Sequence, residues 1–162
     1  VRLKCRKVSS IYAAFFHDPM NSYTFDQLRE QLEISFETEL TTAAVDGFAA
    51  ATGDISPVHM GDAFAQARGF KGRVVHGVLL GGLVSQMVGV HLPGENALLQ
   101  SVNLMFLSPA YIGDRVRVSA VVDQLSESTR TMVLKVAVSR LADGQVLARG
   151  KAQVGFTQAV ST

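Results

Sequence analysis

Cysteine is nearly absent from this sequence: Cys5 stands alone among 162 residues, beside no tryptophan and only four prolines. A single thiol excludes an internal disulfide framework and points to a reducing compartment, so a cytoplasmic location is expected. An excess of charge is missing too. Fifteen Lys and Arg face fourteen Asp and Glu, a net of +1, without the basic excess of a nucleic-acid binder. Charged residues are 18% of the chain and hydrophobic ones 48%, which excludes disorder, since disordered chains combine low hydrophobicity with high net charge. Residues 74–92 contain no Lys, Arg, Asp or Glu. That run approaches the roughly 20 apolar residues of a membrane helix. His76, Ser85, Gln86 and His91 interrupt it and Pro93-Gly94 closes it, so no membrane span is expected. At the other end, the apolar run Ile11–Phe16 is too short for a signal peptide.

What is present is a change of period along the chain. Residues 1–22 show no pattern and are expected to form a poorly ordered extension, leaving 23–162 as a single domain. Leu32-Glu33-Ile34-Ser35-Phe36-Glu37 alternates as a strand does, placing one near 32–39. Thr41 or Thr42 caps a helix running to about Ala51, with Val45, Phe48 and Ala49 on one face. Residues 53–73 are rich in turns, with a short helix over Asp62 to Arg68. A long apolar helix follows, Val74 to about Val90. Beyond Pro93-Gly94 the period becomes two, with strands at 97–107, 115–125, 129–141 and 145–156 and a hairpin signal at Asp143-Gly144. A helix apolar all round must be buried all round. The pattern therefore predicts an α+β fold in which a curved antiparallel sheet wraps a central helix. One curled sheet leaves open edges, so a homodimer is expected.

The densest cluster of reactive side chains is Thr52-Gly53-Asp54-Ile55-Ser56-Pro57-Val58-His59. Asp54 and His59 lie five residues apart in a segment stiffened by Pro57, among apolar neighbours. Such a pair can hold a water and exchange its proton; the plain alternative is an Asp bracing a turn beside a packed His. Adding His76 makes a two-His, one-carboxylate set of the kind that binds metal, but no further polar ligand lies near it in sequence. Adding Ser85 makes a formal triad without the G-x-S-x-G elbow that exposes a nucleophile. No glycine-rich phosphate loop is present, and neither metal nor cofactor is expected. Gly77 falls in the first turn of the apolar helix, where backbone N–H groups lack helical acceptors and can receive an oxyanion.

These residues carry a resemblance. Asp54, Pro57 and His59, followed by Gly72-Arg73-Val74-Val75-His76-Gly77, resemble the MaoC-like, (R)-specific enoyl-CoA hydratase branch of the hotdog fold. The resemblance extends over about residues 30–157, through Phe106-Leu107-Ser108-Pro109 and Tyr111-Ile112-Gly113-Asp114. It implies a hotdog fold and hydration of trans-2-enoyl thioesters to (R)-3-hydroxyacyl thioesters, or the reverse dehydration. Asp54 and His59 match the pair that activates water, Gly77 with His76 the thioester-binding, oxyanion-stabilising position, and Ser56 and Ser85 supporting positions. Ser56 stands where the family has Asn. The implied partner is an acyl-CoA or acyl-carrier-protein thioester, with no nucleic acid or membrane. Arg68, Lys71 and Arg73 stand either as contacts to CoA phosphates or as solvated surface. The competing readings are an acyl-CoA thioesterase and a non-catalytic acyl-thioester-binding protein. The lack of Asp and Glu in 74–92 counts against the thioesterases and against dehydratases that place an acid on that helix.

Overall fold

A computed structural model describes residues 20–157. Five strands form one antiparallel sheet: β1 (Glu33–Glu39), β2 (Ala97–Phe106), β3 (Arg115–Ser126), β4 (Thr131–Arg140) and β5 (Val146–Phe156), in the order β1-β3-β4-β5-β2. Between β1 and β2 the chain makes four helices, α1 (Thr42–Thr52), α2 (Pro57–Met60), α3 (Asp62–Ala67) and α4 (Gly77–Gln86). The sheet curves around α4, and the predicted α+β hotdog architecture is what the chain adopts. None of the described helices is long and apolar enough to cross a membrane.

The alternation read from the sequence sets the sheet's inner face. Val116, Val118, Ala120 and Val122 of β3 and Met132, Leu134, Val136 and Val138 of β4 are buried, with outward residues between them. Leu80 and Val84 of α4 complete the core, followed by Met87 and Val88. Burying each such side chain contributes about 1.5–3 kcal/mol relative to leaving it in water. The core is therefore one layer of helix against one layer of strand.

Three expectations need correction. The central helix begins at Gly77 rather than Val74, because residues 73–75 are drawn into extended pairing: Val75 N–H donates to the Ala110 carbonyl at 2.8 Å, and Val74 bridges Tyr111. The helix continues past Gln86 as a π-turn, Met87–His91. Nor is it buried all round within one chain. Val78 is 64% exposed, and Gly82, Ser85 and Gln86 are also exposed, because the sheet covers only the face bearing Leu80 and Val84. Finally, Asn21 and Ser22 are not part of a loose extension. Asn21 donates its N–H to the Val90 carbonyl (2.9 Å) and its side-chain amide to the His91 carbonyl (2.8 Å), and Ser22 bridges Gly94. A Cβ on Gly94 would lie 1.8 Å from the Asn21 carbonyl oxygen, so this close approach needs glycine. Residues 1–19, the rest of the predicted extension, lie outside the described residues.

Candidate active site

Local rules place the first functional group. Thr41 caps α1 by accepting the Ala44 N–H at 3.2 Å. Gly53 ends it at φ 76°, a left-handed conformation that glycine adopts without strain. The chain thereby turns sharply and delivers Asp54 at the end of α1. The Asp54 carboxylate then braces its own loop, accepting the Ser56 N–H at 3.3 Å. Pro57 starts α2, a single turn within the expected turn-rich segment 53–73, with proline in the first position where its missing N–H costs nothing. Two residues on, α2 presents His59.

The rings are oriented by carbonyls. His59 Nδ1 lies 2.7 Å from the Val74 carbonyl. A carbonyl only accepts, so Nδ1 carries the proton and donates. In the neutral ring Nε2 is left with its lone pair. Val74 is in turn tied back by its N–H to the Val58 carbonyl at 3.0 Å. Arg73 secures the same turn: its Nε donates to the His59 carbonyl at 2.6 Å, its guanidinium pairs with Asp46 on α1, and its backbone N–H donates to Asp62 on α3 at 2.8 Å. Its side chain is only 15% exposed. Arg73 is therefore a strut beneath His59 and not part of a basic patch. Lys71 instead lies over the Tyr111 ring at 5.9 Å, and Arg68 over Phe64 at 5.0 Å.

Asp54, His59 and His76 each place a ligating atom within 4.8 Å of the others. The donor set fits the metal reading in residue type, yet one nitrogen of each imidazole is already occupied by a carbonyl. His76 Nε2 donates to the Asp54 carbonyl at 2.9 Å and lies 4.0 Å from the Asp54 carboxylate. Its ring packs on His59, centroids 4.0 Å apart, and against Phe48 at 4.8 Å. At 1% exposure His76 is sealed beneath the site. Its expected place at the thioester would need a face of the ring open to the substrate, and the described neighbours His59 and Phe48 pack against it.

Beside His59 a cavity of about 350 Å³ opens, lined among others by Val74, Gly77, Leu80, Phe106 and Pro109. Gly77 is the first residue of α4, so its N–H has no acceptor within the helix. The Phe106 ring packs against it; a Cβ there would meet ring carbons at 3.2 Å. His59 and Gly77 line this cavity, and Asp54 lies next to His59; a carboxylate, an imidazole and a helical N–H without a helical acceptor are groups that can act as base, acid and oxyanion donor. Ser56 heads α2 without a side-chain cap bond, and its backbone N–H does the bracing. The structure does not bring Ser85 to this cavity. It is exposed, eight residues beyond Gly77 and hence about 12 Å along the helix at 1.5 Å per residue. Phe106 is the site residue that no sequence signal marks. Arg73 stands in the sequence as one of three basic residues ahead of the apolar helix, a signal that does not separate a strut from a phosphate contact or a solvated surface.

The chain is similar to known proteins over most of its length. The family model described as "MaoC like domain" matches residues 25–146. The chain is 35% identical over 129 residues to a 3-hydroxybutyryl-CoA dehydratase of Methylorubrum extorquens, covering 77% of this chain and 82% of that protein. It is 28% identical over 137 residues to an (R)-specific enoyl-CoA hydratase of Rhodospirillum rubrum, covering 85% and 94%. Among solved structures, the (R)-hydratase of Aeromonas caviae involved in PHA biosynthesis superposes with a TM-score of 0.76 at 29% identity, covering 80% of this chain and 98% of that one.

Proposed function

Because the chain belongs to the MaoC-like domain family, we propose that it hydrates trans-2-enoyl thioesters of CoA to (R)-3-hydroxyacyl thioesters and catalyses the reverse dehydration. The observation that carries this is the free Nε2 of His59 beside the Asp54 carboxylate, at a cavity that also holds the Gly77 N–H. In hydration the water oxygen bonds to C3 as His59 Nε2 takes one of its protons. Asp54 accepts a hydrogen bond from the other O–H, which stays on the oxygen, and so fixes the water's direction. The C2–C3 π electrons move toward the thioester oxygen, where the Gly77 N–H receives the charge. His59 then returns its proton to C2 on the same face, so both parts of water arrive from one side. No metal or cofactor enters these steps.

The working unit in this reading is a homodimer. Val78 on α4 and Leu98, Val102 and Phe106 on the edge strand β2 are 39–64% exposed, a contiguous apolar surface beside an unpaired strand edge, the kind of surface a second chain covers. The lone Cys5 suits the cytoplasm.

The test is to follow loss of enoyl absorbance with a short-chain trans-2-enoyl-CoA and to resolve the product on a chiral column. The expected result is the (R)-3-hydroxyacyl-CoA with no release of free CoA. An (S) product overturns the reading, and free acid with free CoA transfers the protein to the thioesterases. The same assay with an acyl-carrier-protein thioester distinguishes the carriers.

A further inference from the structure

His76 contacts both groups of the acid–base pair, yet it is buried. Its exposure is 1%. Its Nε2–H donates to the Asp54 carbonyl at 2.9 Å, and its face supports the His59 ring at 4.0 Å and a 30° tilt. Nδ1 is buried and has no partner among the described residues. A buried polar atom left unpaired is costly, so burial alone would favour an apolar ring here. The donor and the flat ring are what remain to explain the histidine.

We infer that His76 is a positioning residue, which holds the Asp54 turn through its backbone carbonyl and gives the His59 imidazole a rigid floor. The inference rests on the hydratase reading and adds to it a division of labour: His59 and Asp54 meet water, and His76 meets only them. Three carbonyl-anchored contacts then fix the pair, from Val74 to His59 Nδ1, from the His59 carbonyl to Arg73, and from the Asp54 carbonyl to His76. Catalysis by a positioned base is sensitive to displacements of this kind, so loss of the donor appears in turnover rather than in substrate affinity.

Two variants separate the parts. His76→Phe keeps the ring and removes the donor; His76→Gln keeps a donor at the reach of Nε2. The expected result is a fall in kcat of about 10- to 100-fold for His76→Phe, which lacks the donor, and a measurable fall for His76→Gln, which lacks the ring, with KM changed less than about threefold in each. A rise in KM in both variants, or unchanged kcat in either, overturns the inference. Imidazole nitrogen NMR of the unmodified protein tests it without turnover. The expected signature is a proton on Nε2 of His76 and on Nδ1 of His59 at neutral pH. A proton on His76 Nδ1 overturns it. Absence of hydration by the unmodified protein would instead remove the functional reading, leaving the NMR result to decide the geometry.

Discussion

At the scale of residues, the site depends on a few side chains whose directions are set by backbone atoms. Asp54 follows a left-handed Gly53, and His59 is turned by the Val74 carbonyl. Acid–base groups of this kind contribute about 10²–10⁴-fold to a rate. Asp54→Asn and His59→Ala are each expected to lower kcat at least about 100-fold, with the circular dichroism spectrum nearly unchanged, since Asp54 is exposed and His59 only half-buried. The double variant is expected to be little worse than either single one, since groups acting as a unit are not additive. Ser56→Asn is expected to stay within about twofold of the parent in kcat/KM, because the brace to Asp54 comes from a backbone N–H that any residue but proline supplies.

At the scale of elements, the sheet carries an electrostatic problem with a local answer. Lys135 on β4 stands directly opposite Lys151 on β5, and like charges in that position destabilise a pair of strands. The β3 register shifts between Val122 and Gln124, leaving Asp123 as the extra residue of a bulge. Its carboxylate reaches both lysines, at 2.5 Å and 2.9 Å. Hydrogen bonds from Lys135, and then from Lys151, hold the Asp123 carboxyl below the usual carboxylate range. A folded-state value lower than the unfolded one stabilises the protein above the unfolded pKa of about 3.9, and this is lost as pH falls through the folded value. Asp123→Asn is therefore expected to lower the melting temperature at neutral pH and to flatten its decline on the acid side. Melting curves across pH check this, and added salt is expected to recover part of the loss by screening the two lysines.

At the scale of the whole molecule, one chain leaves its helix half covered. The inward residues of β2, Val102 and Phe106, continue the apolar face begun by Val78 on α4, and β2 is an edge of the sheet among the described residues. In the homodimer reading this face meets its own copy, which makes the contact isologous. Val102→Glu is expected to yield a folded species of half the parent's mass by analytical ultracentrifugation, with hydratase activity reduced because Phe106, which walls the cavity, loses its cover. A parent protein that sediments as a monomer at micromolar concentration overturns the assembly.

The sequence by itself determined the strands and the identity of the candidate pair. Period-two segments allow one buried face, so each predicted strand matched its observed bounds within two residues. Asp54 and His59 stood out because a carboxylate and an imidazole share a short, proline-stiffened segment. Their neighbours decided the rest. That residues 73–75 are extended follows from Ala110 and Tyr111, more than 30 residues away in the chain. That Arg73 is a strut follows from Asp46 and the His59 carbonyl. His76 and Ser85 read alike as polar interruptions of one apolar run, yet one is sealed beneath the acid–base pair and the other exposed on the uncovered side of α4. Periodicity states that a helix has faces; which face meets the sheet, and which side chain the crossover folds over, are set by contacts between segments distant in sequence.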